Sequence, residues 1–281
     1  FKPVKSQDLF DMEYWSLEQA KLGKKSSPEL QGKVIVITGG TGIIGRAIAK
    51  AFFKKGAEIV LVDKNEKSLQ EAYKIIGSNV KFLNIDLTKK FAAEKIISET
   101  VKSFGGVDIL ISNAGIAPEG SMKDISEKLL RDSFDLNFFA HFNLAKAFYS
   151  IFKNQQSDGQ ILFNISKQAV NPGENFGAYG LPKAALMFLV RQLALEFGND
   201  GIRINGVNAD RIQSGILNDE MIKNRAKARS INVDDYLSGN LLKRKVEAFH
   251  VAEAFLSLAK STRTTGHIIT VDGGNVEAAL R

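Results

Sequence analysis

Seven short apolar runs punctuate the chain: KVIVIT from residue 33, EIVLVD from 58, VKFLNID from 80, VDILISN from 107, GQILFNIS from 159, IRINGVN from 202 and HIITVD from 267. All are rich in β-branched residues and bounded by Gly, Asn, Asp or Ser, which is the pattern of strands buried on both faces. Between most of them lie longer stretches with apolar residues at helical spacing, among them 47–55, 91–104 and 184–197. Strand alternating with helix predicts an α/β fold of Rossmann type, a doubly wound, seven-stranded parallel sheet covered on both faces. One domain is expected over 32–275, preceded by an N-terminal helical extension and linker over 1–31 and followed by a tail over 276–281. Within the domain, 211–245 reads as a helical insertion that lids a substrate.

Composition narrows the classes. A chain of 281 residues with 44% hydrophobic content can bury one large core. The absence of cysteine excludes disulfides, thiolate zinc sites and cysteine nucleophiles, and favours an intracellular, cytoplasmic protein. His141, His250 and His267 are scattered without ligand spacing, so no metal is expected. The net charge of +7 comes from 38 basic residues interspersed with 31 acidic ones, a solvated surface rather than a nucleic-acid face. No apolar run approaches the roughly 20 residues that cross a bilayer, so no membrane partner is expected. The first residue is Phe rather than Met, which suggests a trimmed, disordered or excised beginning.

The first strand runs into TGGTGIIG, where Gly40, Gly42 and Gly45 satisfy G-x-G-x-x-G immediately before a helix, flanked by Gly39, Ile43 and Ile44. Glycine allows the tight turn and the close approach of backbone to a pyrophosphate, and the helix N-terminus supplies N–H donors and a favourable dipole. Asp63, ending the second strand, stands where a carboxylate accepts hydrogen bonds from the adenosine ribose. A carboxylate there repels a 2′-phosphate, so NAD is expected over NADP. Lys64 opposes that reading only if it turns inward; a solvated lysine is its ordinary role. Asp86, ending the third strand, and Leu87 next to it are placed to reach the adenine, and the alternative for Asp86 is a helix N-cap.

TGGTGIIG, NIDLT, NAG (Asn113, Ala114, Gly115), Asn137 in FDLNFF, Ser166, YGLPK and TVDGG occur in one order over 32–275. In that order they resemble the short-chain dehydrogenase/reductase family. The resemblance implies that Tyr179 is the catalytic acid/base, Lys183 its electrostatic partner, Ser166 the group holding the substrate oxygen, and Asn137 the anchor of a proton-relay water. It also places Asn113, Ala114, Gly115, Tyr179 and Lys183 on the cofactor. The chemistry agrees: a phenol titrates near pH ~10, and an ammonium one turn away, with a cationic nicotinamide, would lower that value. Singly, each residue has an ordinary alternative: a surface i, i+4 pair for Tyr179 and Lys183, a strand end for Ser166, a backbone-satisfied polar residue for Asn137. Pro182 is tolerable if the helix starts near Ala178, with Asn175 as its cap.

Departures from the family pattern fall at Ile43, where glycine is commonest, and after the sixth strand, where Ala209, Asp210 and Ser214 replace Pro, Gly and Thr. The leader DMEYWSLEQAKL over 11–22 reads as an amphipathic helix, and SKQAV follows the fifth strand. Both resemble the dehydrogenase half of bifunctional class II aldolase/short-chain dehydrogenase fusions, which implies a small hydroxyaldehyde or sugar-derived alcohol as substrate and an aldolase domain fused or docked. The expected activity is NAD-dependent interconversion of an alcohol and a carbonyl by a homodimer or homotetramer. The competing reading is a catalytically silent dinucleotide-binding module. Ser166, Lys167 and Tyr179 are the expected substrate contacts; for Lys167 the alternative is a lysine aimed away into solvent. The basic residues of 211–245 would meet a substrate phosphate or carboxylate or, alternatively, form a solvated face.

Overall fold

The computed structural model describes residues 10, 28–76, 80–215 and 217–275. The helix expected over 11–22 and the tail over 276–281 lie outside these. Strands β1 (Val34–Thr38), β2 (Glu58–Asp63), β3 (Val80–Asn84), β4 (Ile109–Ser112), β5 (Gln160–Asn164), β6 (Arg203–Ala209) and β7 (Ile268–Val271) form one sheet. It is wholly parallel, in the order β3-β2-β1-β4-β5-β6-β7. The connecting helices are α1 (Ile43–Phe53), α2 (Glu66–Ile76), α3 (Ala92–Phe104), α4 (Glu127–Phe134), α5 (Ala140–Gln155), α6 (Gly177–Phe197), α7 (Asp219–Ala228), α8 (Val233–Leu237) and α9 (Ala248–Lys260). The expected Rossmann-type architecture is therefore the observed one.

Side chains alternate across the sheet and build two cores. Ile35, Ile37, Ile59, Leu61, Ile109 and Ile111 meet α1 and α9 through Ile48, Phe52, Val251 and Phe255. Val34, Val36, Val60, Val62, Leu110 and Phe163 meet α3, α5 and α6 through Ile96, Phe148, Phe152, Leu186 and Val190. All five β1 residues are buried, as a central strand with helices on both sides requires. Each such side chain contributes roughly 1.5–3 kcal/mol. The strand order reverses between β1 and β4, which opens a crevice at the carboxyl ends of the strands.

Several boundaries differ from the sequence expectation. Strand β3 stops at Asn84 and β5 at Asn164, so Asp86 and Ser166 stand beyond the strands, in the turns. Helix α6 starts at Gly177, which puts Pro182 in its second turn. Between α4 and α5 the helix widens into a π turn, Asp135–Phe139. Ser133, Asn137, His141 and Ala145 are all buried along this rod. In an α-helix, steps of four residues drift by about 40° each. The wider π turn takes up that drift and keeps the first three side chains facing the crevice.

Candidate active site

The glycine loop is shaped by contacts that no side chain would survive. A Cβ on Gly45 would lie 2.3 Å from the Gly39 carbonyl oxygen, and one on Gly39 (φ +60°) would lie 2.8 Å from Ala114 Cα. Gly42 caps α1 without any side-chain bond, and the first turn of α1 carries no acidic residue. The leading N–H groups of α1 are thus left for an anion in the crevice, which is the fit a dinucleotide pyrophosphate requires. Ile43 is exposed and borders Ser214 and Gly215, whereas Ile44 faces Ser166 and Tyr179.

The floor of the crevice is stitched by Asn113. Its amide N–H reaches Thr38 Oγ1 (2.9 Å), its Nδ2 donates to the carbonyls of Thr38 and Gly39, and its Oδ1 accepts from Asn164 Nδ2 (2.8 Å). His141 braces the next residue: its Nε2 lies 3.0 Å from the Ala114 carbonyl and its Nδ1 2.6 Å from Ser112 Oγ. Burial, the positive charge of Lys183 and, in opposition, the Ala114 carbonyl leave the His141 pKa well below its ordinary value. The ring is neutral, with Nε2 donating and Nδ1 accepting. Gly115 is fixed by crowding, because a Cβ there would lie 2.9 Å from Asn137 Oδ1.

Asp63 closes one end. Its Oδ2 accepts from both the Thr41 hydroxyl (2.6 Å) and the Thr41 N–H, and its Oδ1 accepts from Asn65 N–H. With Asp86, Leu87, Ala114 and Gly115 it lines a cleft of about 340 Å³ that Lys64 also borders. Asp86 is not a helix N-cap. It turns back on Thr88, accepting from that residue's N–H (3.0 Å) and hydroxyl (2.8 Å), and those bonds hold its pKa below the ordinary value.

Tyr179, 9% exposed, lines the same cleft as Ser166. Ser166 is extended and heads a short turn, Lys167–Ala169. Burial raises the phenol pKa, and the Ser166 hydroxyl only partly opposes it. This corrects the expectation that Lys183 lowers it. The Lys183 ammonium, 2% exposed, donates instead to the Asn164 carbonyl at 2.8 Å, and burial brings its pKa down to about 7.

Pro182 explains a neighbouring contact. Lacking an N–H, it leaves the Ala178 carbonyl without its helical donor, and the Ser133 hydroxyl fills the gap at 2.6 Å. Ser133 in turn accepts from Asn137 Nδ2 (2.9 Å). Asn137 also clasps the backbone of Ile116, donating to its carbonyl (2.9 Å) and accepting from its N–H (3.1 Å). Both Nδ2 hydrogens are engaged, so this side chain holds the 116 loop rather than presenting a free amide to a water. Nor is Asn175 the cap of α6. It sits at φ +63° with its carbonyl bound by Gly120 N–H, and Phe176 takes the N-cap position.

Lys167 is buried rather than solvated and lines the same cleft as Ser166 and Tyr179. The chain turns after Ser166 and the side chain, 7% exposed, pairs at 3.0 Å with Asp272, itself 11% exposed. Asp272 belongs to the TVDGG stretch and also accepts from Gly274 N–H. The insertion over 211–245 forms α7 and α8, which share a small core of Ile222, Ala226, Tyr236 and Leu237. A cleft of about 180 Å³ runs from Ser166 and Tyr179 to Arg225 and Arg229 of this insertion. Ser133, Asp272 and the bracing role of His141 are not singled out by the sequence; their partners Ala178, Lys167 and Ala114 lie 45, 105 and 27 positions away with no periodic signal.

A parallel sheet with its glycine loop, Asn-Ala-Gly floor and paired Tyr and Ser at the carboxyl ends defines a dinucleotide-type α/β oxidoreductase. The family model described as short chain dehydrogenase matches residues 33–225, and the chain belongs to that family. It is 31% identical over its whole length to the uncharacterized oxidoreductase YuxG of Bacillus subtilis, spanning 43% of that protein, less than half its length. It is 34% identical to an uncharacterized oxidoreductase of Thermotoga maritima, with 87% of this chain and 98% of that one covered. Among solved structures, a short-chain type dehydrogenase/reductase from Mycobacterium marinum superposes with a TM-score of 0.80 at 25% identity, covering 88% of this chain and 96% of the other. Among the described residues no helix is long and apolar enough to cross a membrane.

Proposed function

We propose that the chain is an NAD-dependent dehydrogenase that interconverts a small polar alcohol, such as a hydroxyaldehyde or sugar-derived alcohol, with its carbonyl. The observation that carries this reading is the meeting of Tyr179 and Ser166 in one cleft, with the buried Lys183 Nζ 5.9 Å from the Tyr179 ring centroid. The nicotinamide, when bound, supplies the hydride acceptor or donor. Ser166 holds the reacting oxygen, and Tyr179 exchanges a proton with it. Tyr179 donates the proton to a carbonyl oxygen in reduction and takes it back from the alcohol in oxidation. Lys183 and Asn113 share the Asn164 support and hold the floor against which the cofactor lies. A silent binding module would bind NADH yet show no change in absorbance at 340 nm with any alcohol or carbonyl. Neither relative's name mentions an aldolase, and the proposal concerns the dehydrogenase alone.

Asp63 supports NAD as the cofactor. Asp63→Ala removes the carboxylate that would accept ribose hydroxyls and repel a 2′-phosphate, so NADH affinity is expected to fall about tenfold while NADPH affinity rises. Fluorescence titration with both cofactors measures this. Tighter NADPH than NADH binding by the wild type would show that Lys64 dominates.

Self-association is supported by an apolar stripe. Leu181, Phe188 and Leu195, spaced two helical turns apart on α6, are 47%, 61% and 77% exposed, and Phe139 and Phe142 are exposed beside α5. Phe188→Glu with Leu195→Glu is expected to shift the protein to monomer by light scattering. An unchanged mass would place the interface elsewhere.

A further inference from the structure

We infer that Arg225 binds an anionic group of the substrate, a carboxylate or a phosphate, at the end away from the reacting carbon. This rests on the dehydrogenase reading and names the substrate class for the same site. The guanidinium carbon of Arg225 lies 3.7 Å from the centroid of the Phe176 ring, and Phe176 packs edge-on against Tyr179 with centroids 6.5 Å apart. One aromatic ring therefore separates the cation from the phenol. Both arginine and phenol line the same cleft.

The charge balance of that cleft singles out Arg225. Lys167 is answered by Asp272 at 3.0 Å. Arg211 lies 3.7 Å from Asp210 and donates to the carbonyls of Tyr236 and Gly239. Arg225 has no such partner. Its Nε is buried and makes no hydrogen bond, and its Nη1 reaches the Tyr236 hydroxyl only at 3.3 Å. The nearest carboxylate, Glu119, is 45% exposed and stands 4.0 Å from Nε, too far to accept a hydrogen bond. A guanidinium that is 17% exposed, flat on an aromatic face, with an unused buried donor, is arranged to take a planar or tetrahedral anion through a fork of N–H groups. Arg229, one turn further along, adds positive charge at the same mouth and donates to the Arg225 carbonyl.

The cofactor phosphates do not explain it. They are served by the N-terminus of α1, whereas the contacts of Arg225 come from Phe176 before the catalytic helix, Tyr236 of the insertion and Glu119 of the loop after β4. The short path from Arg225 to Tyr179 suits a chain of a few carbons that bears the alcohol at one end and the anion at the other.

The test uses two matched pairs of probes on the NADH-loaded full chain: 3-hydroxybutyrate against its methyl ester, and glycerol 3-phosphate against glycerol. Binding is read by saturation-transfer NMR, which needs no turnover. Wild type is expected to bind at least one anion tenfold or more tighter than its neutral partner. Arg225→Met, which keeps a stem over Phe176, should erase that preference while NADH affinity stays within about twofold. Glu119→Gln, which removes the competing carboxylate, should strengthen anion binding a few-fold. The pair with the larger loss in Arg225→Met tells carboxylate from phosphate. Equal binding within both pairs, no binding of any probe, or a preference that survives Arg225→Met would overturn the assignment. Failure of the underlying dehydrogenase reading looks different: the wild type would bind NADH yet change no absorbance at 340 nm with any alcohol or carbonyl, or would bind neither cofactor.

Discussion

Tyr179→Phe is expected to lower turnover by about 10²–10⁴-fold, the range contributed by a positioned acid/base, with NADH affinity close to wild type. The ring itself is retained, so its edge-on packing against Phe176 and its place in the second layer of the crevice survive. What is lost is one hydroxyl, and with it the only proton that the buried side chain can exchange. Single-turnover absorbance at 340 nm, on whichever alcohol or carbonyl the wild type converts, separates this from a binding defect, and fluorescence titration reports the cofactor. A variant that retained turnover within tenfold would remove Tyr179 from the chemistry.

Lys167→Met should destabilise the protein by about 3–5 kcal/mol, because removing one partner of a buried ion pair strands the other. The Asp272 carboxylate, 11% exposed, would keep only the Gly274 N–H. Adding Asp272→Asn should recover most of the loss, since the amide oxygen still accepts from Gly274 and no charge remains to be desolvated. The surface pair Lys33–Asp108 is shorter, at 2.7 Å, yet its lysine is 52% exposed; Lys33→Met is expected to change stability by no more than about 1 kcal/mol. Urea midpoints with a common slope decide the matter. A Lys167→Met loss below that of Lys33→Met would show that water reaches the Lys167–Asp272 pair.

How far the sequence alone leads depends on whether a feature is local. Period, glycine spacing and β-branched runs are local, so the sheet and the loop at Gly39–Gly45 could be read directly, whereas the roles of Asn137, Ser166, Tyr179 and Lys183 came from the family resemblance. Strand ends were misjudged at Asp86 and Ser166, because pairing stops where the neighbouring strand stops, which no single run reveals. Pro182 was placed one turn too early for a similar reason. The donor that makes a second-turn proline tolerable comes from Ser133, on another helix. The solvated alternative for Lys167 fails, since a partner more than a hundred residues away keeps it buried. Arg225 lay inside the basic insertion, but only the folded cleft shows that its Nε is buried without a hydrogen bond beside the Phe176 ring.

The π turn at Asp135–Phe139 sets the alignment of Ser133, Asn137 and His141, which reach the carbonyl of Ala178, the backbone of Ile116 and the carbonyl of Ala114 respectively. The three behave like teeth of one key, cut at a pitch of four on a rod whose natural pitch is about 3.6. Such a key tolerates changes of tooth more readily than changes of length. Excising one residue from Asp135–Phe139 would restore ideal winding and rotate either the first tooth or the last by about 100° out of its lock. The loss would appear at the Ala178 or the Ala114 carbonyl, although the residue touching it had not been altered.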